Sequence, residues 1–99
     1  MKLITKELKQ RFEEVGRQDE NPLVVAKFFD PAGSGTWYAT EYDVETNICF
    51  GYVTGLAFDE WGSFSITEME AIKRPFGLTI ERDLHFEEIR FNTLMNINS

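Results

Sequence analysis

Near the C-terminus three residues with chemically active side chains alternate along the chain: Glu81, Asp83 and His85. Alternate residues of a β-strand point to the same face of a sheet, so a strand here would place all three on one face. Two carboxylates and an imidazole in that arrangement could hold a divalent cation, or supply an acid and a base for hydrolysis. The pattern is also typical of a solvated edge strand, because the intervening residues mix apolar and charged types. A small metal-assisted hydrolase is therefore an alternative hypothesis for this chain.

A second set of candidates combines carboxylates with aromatic rings in the middle of the chain. From Phe28 to Ile72 there are eight Asp and Glu residues and no Lys or Arg, while the whole chain has a net charge of -7. Aromatic residues among carboxylates are typical of protein interfaces, where rings anchor a partner and charges attract it. The candidate partner-binding residues are Tyr38, Glu41, Tyr42, Asp43, Glu45, Asp59, Glu60 and Trp61.

Composition excludes several other classes of function. An acidic chain lacks the clustered Lys and Arg that direct nucleic-acid binding requires. The chain has no phosphate-binding loop, dinucleotide fingerprint or paired-cysteine motif, so we expect no catalytic residues and no cofactor. Cys49 lies among apolar residues, which is typical of a buried thiol rather than a nucleophile. No apolar run is long enough for a membrane span or a signal peptide, so we expect a cytoplasmic protein that does not enter a membrane.

Two helices are predicted by their end signals. Thr5 is a suitable N-cap for a first helix, and Gly16 is a suitable stop. Ser65 with Glu68 three residues later forms a capping box, which predicts a second helix from residue 66 to about Lys73.

The strands are predicted by alternation and by β-branched or aromatic content. They are the stretches 23–29, 36–43 and 47–55, a short fourth strand ending at residue 65, and extended chain after the turn at Phe76 and Gly77. The second and third form a hairpin, in which alternation puts Tyr38 and Tyr42 on one face. Gly51 inside a strand predicts a bulge or a close approach of another backbone segment.

These elements predict one α+β domain over residues 1–99. It should contain a mostly antiparallel sheet of four or five strands packed with two short helices. Residues 91–99 are expected to form a loose helical turn that frays.

The segments TWYATEYD, FGYVTG, GSFSITEMEAI and GLTIERDLHFE, in this order, resemble a bacterial family catalogued as domain of unknown function 2958. The resemblance runs from KLITKEL almost to the C-terminus, but the tail after Phe91 does not match. It implies a small α+β domain, and an association with plasmids, conjugative elements and phage-like islands that often carry counter-defence genes. It supplies no catalytic residues.

Together these observations predict a non-enzymatic acidic binding protein in the cytoplasm of a bacterial host. A carboxylate surface without cations can imitate the phosphates of a nucleic acid. The expected partner is therefore a protein with a basic surface, a nucleic-acid-handling defence enzyme of the restriction or CRISPR kind, and the protein would inhibit it. Two alternatives stay open: the hydrolase centred on Glu81, Asp83 and His85, and a homodimer formed through the edge of the hairpin.

Overall fold

Seven strands and three helices follow one another along residues 1–98, the part of the chain that the computed structural model describes. In chain order they are α1 (Lys6–Val15), β1 (Leu23–Val24), β2 (Ala26–Phe29), β3 (Thr36–Asp43), β4 (Ile48–Thr54), β5 (Glu60–Ser65), α2 (Ile66–Ala71), β6 (Glu81–Arg82), β7 (Ile89–Arg90) and α3 (Phe91–Asn98). Five strands form an antiparallel sheet in the order β5-β4-β3-β2-β6, and β1 pairs with β7. The α+β class expected from the sequence is confirmed.

The two predicted helices begin at the predicted caps. The Thr5 hydroxyl accepts the N–H of Leu8 at 3.1 Å, which satisfies one of the free donors in the first turn of α1. The Ser65 hydroxyl likewise accepts an N–H in the first turn of α2, at 3.2 Å. Helix α2 ends at Ala71, before the predicted end at Lys73, because Ile72 already has an extended backbone (φ -67°, ψ 126°).

Helices α1 and α2 cover one face of the five-stranded sheet. The core beneath them consists of Leu3, Ile4, Phe12, Val25, Ala26, Phe28, Trp37, Ala39, Cys49, Ile66, Met69 and Ile80. The C-terminal segment covers part of the opposite face. There Val24, Tyr38 and Leu94 are buried, with Tyr52, Phe86, Ile89, Phe91 and Met95 packed around them. Both faces of the sheet therefore carry apolar clusters.

The stretch predicted as one strand over residues 23–29 is divided in two. Residues before Val25 pair with β7, and residues after it pair with β3. Val24 lies in the cluster under α3, whereas Val25 lies in the core under α1. Val25 and the next residue, Ala26, both lie in the core under α1, which two consecutive residues of a single alternating strand could not do.

A β-bulge in β3 reverses the orientation of its second half. Pairing with β4 shifts between Ala39 and Glu41, so Thr40 is an extra residue without an opposite partner. A one-residue shift moves every following side chain to the other face. As a result Tyr38 lies in the cluster under α3, whereas Tyr42 packs against the core under α1. The two tyrosines do not share a face, contrary to the unbroken alternation assumed from the sequence.

The C-terminal segment, for which the sequence predicted a loose helical turn, forms α3 over Phe91–Asn98. Leu94 is buried against the second cluster, which gives this helix a packing partner. The backbone N–H of Phe91 donates to the carbonyl of Pro22 at 2.8 Å, and the N–H of Asn92 donates to Oδ1 of Asn21 at 2.8 Å. These bonds hold the start of α3 against residues 16–22, the connector between α1 and β1. The last predicted tail residue, Ser99, lies outside the described residues.

Cys49 is fully buried in the core, and desolvation raises the pKa of its thiol to about 12. Only the thiolate reacts readily with alkylating agents. We therefore expect the folded protein to resist iodoacetamide at about pH 8, where a free cysteine is partly ionised. Mass spectrometry should show one added carbamidomethyl group after unfolding in urea and almost none before. Rapid alkylation of the folded protein would contradict the burial of this thiol.

Candidate partner-binding groove

Four aromatic rings meet on the part of the sheet that α3 leaves open. The Trp61 ring centroid lies 4.6 Å from that of Phe91, 5.3 Å from that of Tyr52 and 5.9 Å from that of Phe50. Strand pairing explains the cluster in part, because Tyr52 on β4 lies opposite Trp61 on β5. Phe50 is 40% exposed and Trp61 is 38% exposed. Rings of this size with so much accessible area are the type of residue that anchors protein interfaces.

A groove of about 280 Å³ runs beside these rings. It is lined by Gln18, Asp19, Glu20, Asn21, Pro22, Thr40, Glu41, Phe50, Trp61 and Phe91. An adjoining hollow of about 410 Å³ shares Glu41 and Phe50 with it and adds Asp43, Ile48 and Ser63 among others. We call the continuous surface around Glu41, Asp43, Phe50, Trp61 and Phe91 the acidic groove. None of the residues that line the groove or the hollow is Lys or Arg.

The carboxylates of the acidic groove are not neutralised by neighbouring cations. Oε2 of Glu41 accepts the backbone N–H of Gln18 at 3.1 Å, and Oδ1 of Asp43 accepts the N–H of Glu45 at 3.0 Å. Within residues 1–98 the ion pairs involve other carboxylates, those of Glu14, Asp30, Asp83 and Glu88. Glu41 and Asp43 therefore leave a local excess of negative charge beside exposed rings.

The side chain of Gln18 fixes the connector against the bulged strand. Its Nε2 donates to the carbonyls of Leu23 and Thr40, each at 2.9 Å, and its Oε1 accepts the N–H of Leu23 at 2.7 Å. The Thr40 carbonyl needs this partner because β2 reaches only as far as Ala39 along β3. Gln18 thus takes the place of a neighbouring strand and sets the distance between the connector and Glu41.

Asp19 and Glu20 line the groove, but they also line a second hollow. This hollow lies on the other side of the connector and is lined by Arg11, Arg17 and Arg90. Their negative charge is partly offset by these arginines at longer range. The electrostatic character of the groove therefore depends chiefly on Glu41 and Asp43.

The eight candidate residues from the sequence do not form one patch. Pairing in the sheet places Glu41 opposite Phe50, Asp43 opposite Ile48 and Trp61 opposite Tyr52, all on the open face. Tyr38 is only 8% exposed, under the C-terminal segment, so it does not offer an accessible anchor. Tyr42 faces the helix-covered side, where its hydroxyl donates to Oδ1 of Asn47 at 2.6 Å.

The remaining acids of that set are separated from one another. Glu45 lies in the turn before β4 and Asp59 in the loop after it, at opposite ends of a seven-residue strand. Such a strand spans about 20 Å, so these carboxylates cannot act on the same small site. Glu60 pairs with Val53 and therefore lies on the helix-covered side of the sheet. Of the predicted set, Glu41 and Trp61 line the groove, and Glu41, Tyr42 and Asp43 line the adjoining hollow.

Phe50, Phe91 and Gln18 are site residues that the sequence did not single out. Phe50 was accessible to sequence reasoning, because alternation along β4 already placed it on the face opposite Cys49. Phe91 and Gln18 carry no local signal, since each reaches the groove only through contacts distant in sequence, such as that between Gln18 and Thr40.

The hydrolase candidates do not converge. After β6 the chain turns, because Oδ1 of Asp83 accepts the N–H of His85 at 2.9 Å, which breaks the alternation that would have aligned Glu81, Asp83 and His85. Oδ2 of Asp83 lies 3.7 Å from Nζ of Lys27. In residues 1–98 no three His, Cys, Asp or Glu side chains are grouped so that they could hold a metal ion.

The hairpin has only a short free edge for a strand-mediated homodimer. β4 lies between β3 and β5, and β3 pairs with β2 over residues 36–39, while Gln18 binds the carbonyl of Thr40. Within residues 1–98, residues 41–43 of β3 have no strand partner on that side. The outer strand at the other side of the hairpin is β5, so a strand from a second copy could pair with β5 or with this short stretch of β3.

Comparison with known proteins gives a family but no characterised relative. No helix in residues 1–98 is long and apolar enough to cross a membrane. No curated protein matches the chain, and no solved structure matches it. One family model, described as Protein of unknown function (DUF2958), matches residues 2–95, which is nearly the whole sequence and includes residues 92–95 of the tail that the resemblance had left unmatched. The chain therefore belongs to the DUF2958 family.

Proposed function

We propose that this protein is a non-enzymatic binding protein that uses the acidic groove to occupy a basic surface of another protein. One observation carries the proposal: Glu41, without a neighbouring cation, lines the same groove as the exposed rings of Phe50 and Trp61, and Asp43 lines the adjoining hollow that shares Glu41 and Phe50. Carboxylates of this kind attract a basic partner over several ångströms, and the rings supply apolar contact area once the two proteins meet.

The distribution of charge supports attraction of a basic partner. The acids of residues 28–72 have few basic neighbours, and Asp30 is the one among them that forms an ion pair, with Arg74 at 3.0 Å. Lys27 pairs with Asp83, and Arg11 pairs with Glu88 and with Glu14 in α1, so these cations use acids outside residues 28–72. The excess negative charge of this segment is therefore distributed over the sheet, its loops and α2, and Glu41 and Asp43 are the part of it that lies along the groove.

The partner that we propose is a nucleic-acid-handling defence enzyme of the restriction or CRISPR kind, which the protein would inhibit in the bacterial cytoplasm. Enzymes that bind DNA or RNA have clefts lined by Lys and Arg, and a carboxylate surface competes for such a cleft through the same electrostatics. The association with mobile elements that the family resemblance implies would favour this narrower form, because such elements benefit from blocking host defences.

The test compares two variants with the same change in net charge. Glu41→Lys with Asp43→Lys reverses the groove, whereas Glu13→Lys with Glu68→Lys reverses two exposed acids on α1 and α2, on the other side of the sheet. Tagged wild-type protein should capture a basic nucleic-acid enzyme from a bacterial lysate, and added DNA or RNA should displace it. We expect the groove variant to bind that enzyme roughly a hundredfold more weakly and the control variant to bind it nearly normally.

Three results would contradict the proposal. Equal binding by the groove variant would remove the groove from the interface. Equal loss in both variants would show that net charge alone is responsible. A captured enzyme that nucleic acid does not displace would exclude competition for the nucleic-acid cleft. Circular dichroism of each variant should accompany the measurement, so that loss of folding is not mistaken for loss of binding.

A further inference from the structure

The aromatic part of the acidic groove has the geometry of a site for one flat cation. The planes of Phe50 and Trp61 differ by only 15°, and the ring of Phe91 lies against Trp61 with an angle of 53°. A planar guanidinium stacks on such ring faces and is attracted by their negative electrostatic potential. A compact ammonium group gains the attraction without the stacking.

Glu41 supplies a carboxylate beside these rings. It lies opposite Phe50 in the β3–β4 pairing, and its Oε2 is already held by the N–H of Gln18. No donor within residues 1–98 is bonded to its Oε1, so this atom is available to an incoming N–H group. Guanidinium groups pair with carboxylates through charge-assisted hydrogen bonds, which are stronger than neutral ones.

The groove beside the rings is large enough for one planar side chain. Its volume of about 280 Å³ lies at the lower end of the roughly 300–1,000 Å³ of pockets that enclose drug-sized molecules. The lining includes no Lys or Arg, so this chain does not fill the site with a cation of its own. Asp43, two residues along the same face of β3, adds a second negative charge within reach of a basic partner segment.

From these features we infer that the acidic groove binds an arginine side chain of the partner protein, with the guanidinium stacked on Trp61 and paired with Glu41. The inference rests on the proposed function and narrows it to one recognised residue type. Arginines that contact phosphates in a nucleic-acid cleft have the required chemistry, since guanidinium binds carboxylate and phosphate with the same fork of N–H groups.

The test uses blocked short peptides that differ in one side chain: arginine, lysine, or citrulline, the neutral isostere of arginine. Each is titrated into the isotopically labelled full-length protein, and the backbone amides and the Trp61 indole N–H are followed by NMR. The arginine peptide should shift the signals of Glu41, Phe50 and Trp61 in a saturable manner. Loss of the charge and its pairing should weaken binding of the citrulline peptide roughly tenfold, and the lysine peptide should fall between them.

Two variants that each remove one negative charge distinguish binding in the groove from a general effect of net charge. Glu41→Gln preserves the acceptor for Gln18 but removes the charge, so it should weaken arginine binding, whereas Glu68→Gln on α2 should not. The inference is overturned if the citrulline peptide binds as well as the arginine peptide, or if the shifts centre on Glu45 or Glu68 instead of the groove. Salt-sensitive capture of a basic enzyme would then still support the proposed function. Arginine binding without any displaceable enzyme would support the site and contradict the function.

Discussion

Replacing Gly51 by alanine is expected to lower the free energy of unfolding by about 3 kcal/mol or more, at or beyond the upper end for overpacked cores. A Cβ atom on Gly51 would overlap the carbonyl carbon and oxygen of Tyr38 on the neighbouring strand. The obstacle is backbone rather than a flexible side chain, so β3 and β4 would have to separate. Tyr38 is itself buried under Val24 and Leu94, which resists that movement.

The sheet contains a matched control for this substitution. Gly62 on β5 lies directly opposite Gly51, and a Cβ there meets no atom within 4 Å. Gly62→Ala should change the unfolding free energy by no more than about 1 kcal/mol, with a gain favoured because alanine restricts the unfolded chain. Urea denaturation followed by tryptophan fluorescence measures both variants. If both variants lost the same unfolding free energy, glycine would be needed for strand flexibility rather than for the close approach to Tyr38.

Gly51 also shows which structural features local sequence reasoning can predict. A glycine within an alternating strand indicated a bulge or a close backbone approach, and the close approach is confirmed. The caps at Thr5 and Ser65 were equally predictable. Each of these signals depends on residues within one turn or one strand, so no knowledge of the tertiary structure was required.

The bulge at Thr40 lies beside the pairing of Ala39 with Gly51, but its strand and its position could not be predicted. Nothing in TWYATEYD marks one residue as extra, because the shift is defined only by the pairing of β3 with β4. Its effect on the site is large, since it turns Tyr42 toward the core. The separation of Glu45 from Asp59, by contrast, follows from the predicted strand over residues 47–55, because successive loops of a meander lie at opposite ends of the strand that they share. Closeness in sequence therefore did not become closeness in space.

Replacing Gln18 by alanine is expected to cost about 2 kcal/mol of unfolding free energy, because partly buried backbone groups lose their partners. The groups are the carbonyls of Leu23 and Thr40 and the N–H of Leu23. Gln10→Ala is the control, since Gln10 is exposed on α1, and it should change stability by less than about 0.5 kcal/mol. Urea denaturation compares the two, and equal effects would contradict the bridging role of Gln18.

The same substitution should also change the dissociation rate of the partner without changing its association rate. Gln18→Ala leaves the charges of Glu41 and Asp43 in place, so the association rate and its dependence on salt should be nearly unchanged. The connector and Glu41 lose their fixed spacing, so dissociation should become several-fold faster, as interface defects act mainly on that rate. Glu41→Gln, which removes a charge, should instead reduce the dependence of the association rate on salt. Surface plasmon resonance at two salt concentrations resolves both rates. If Gln18→Ala slowed association and left dissociation unchanged, the connector would contribute to the encounter of the two proteins rather than to the shape of the bound groove.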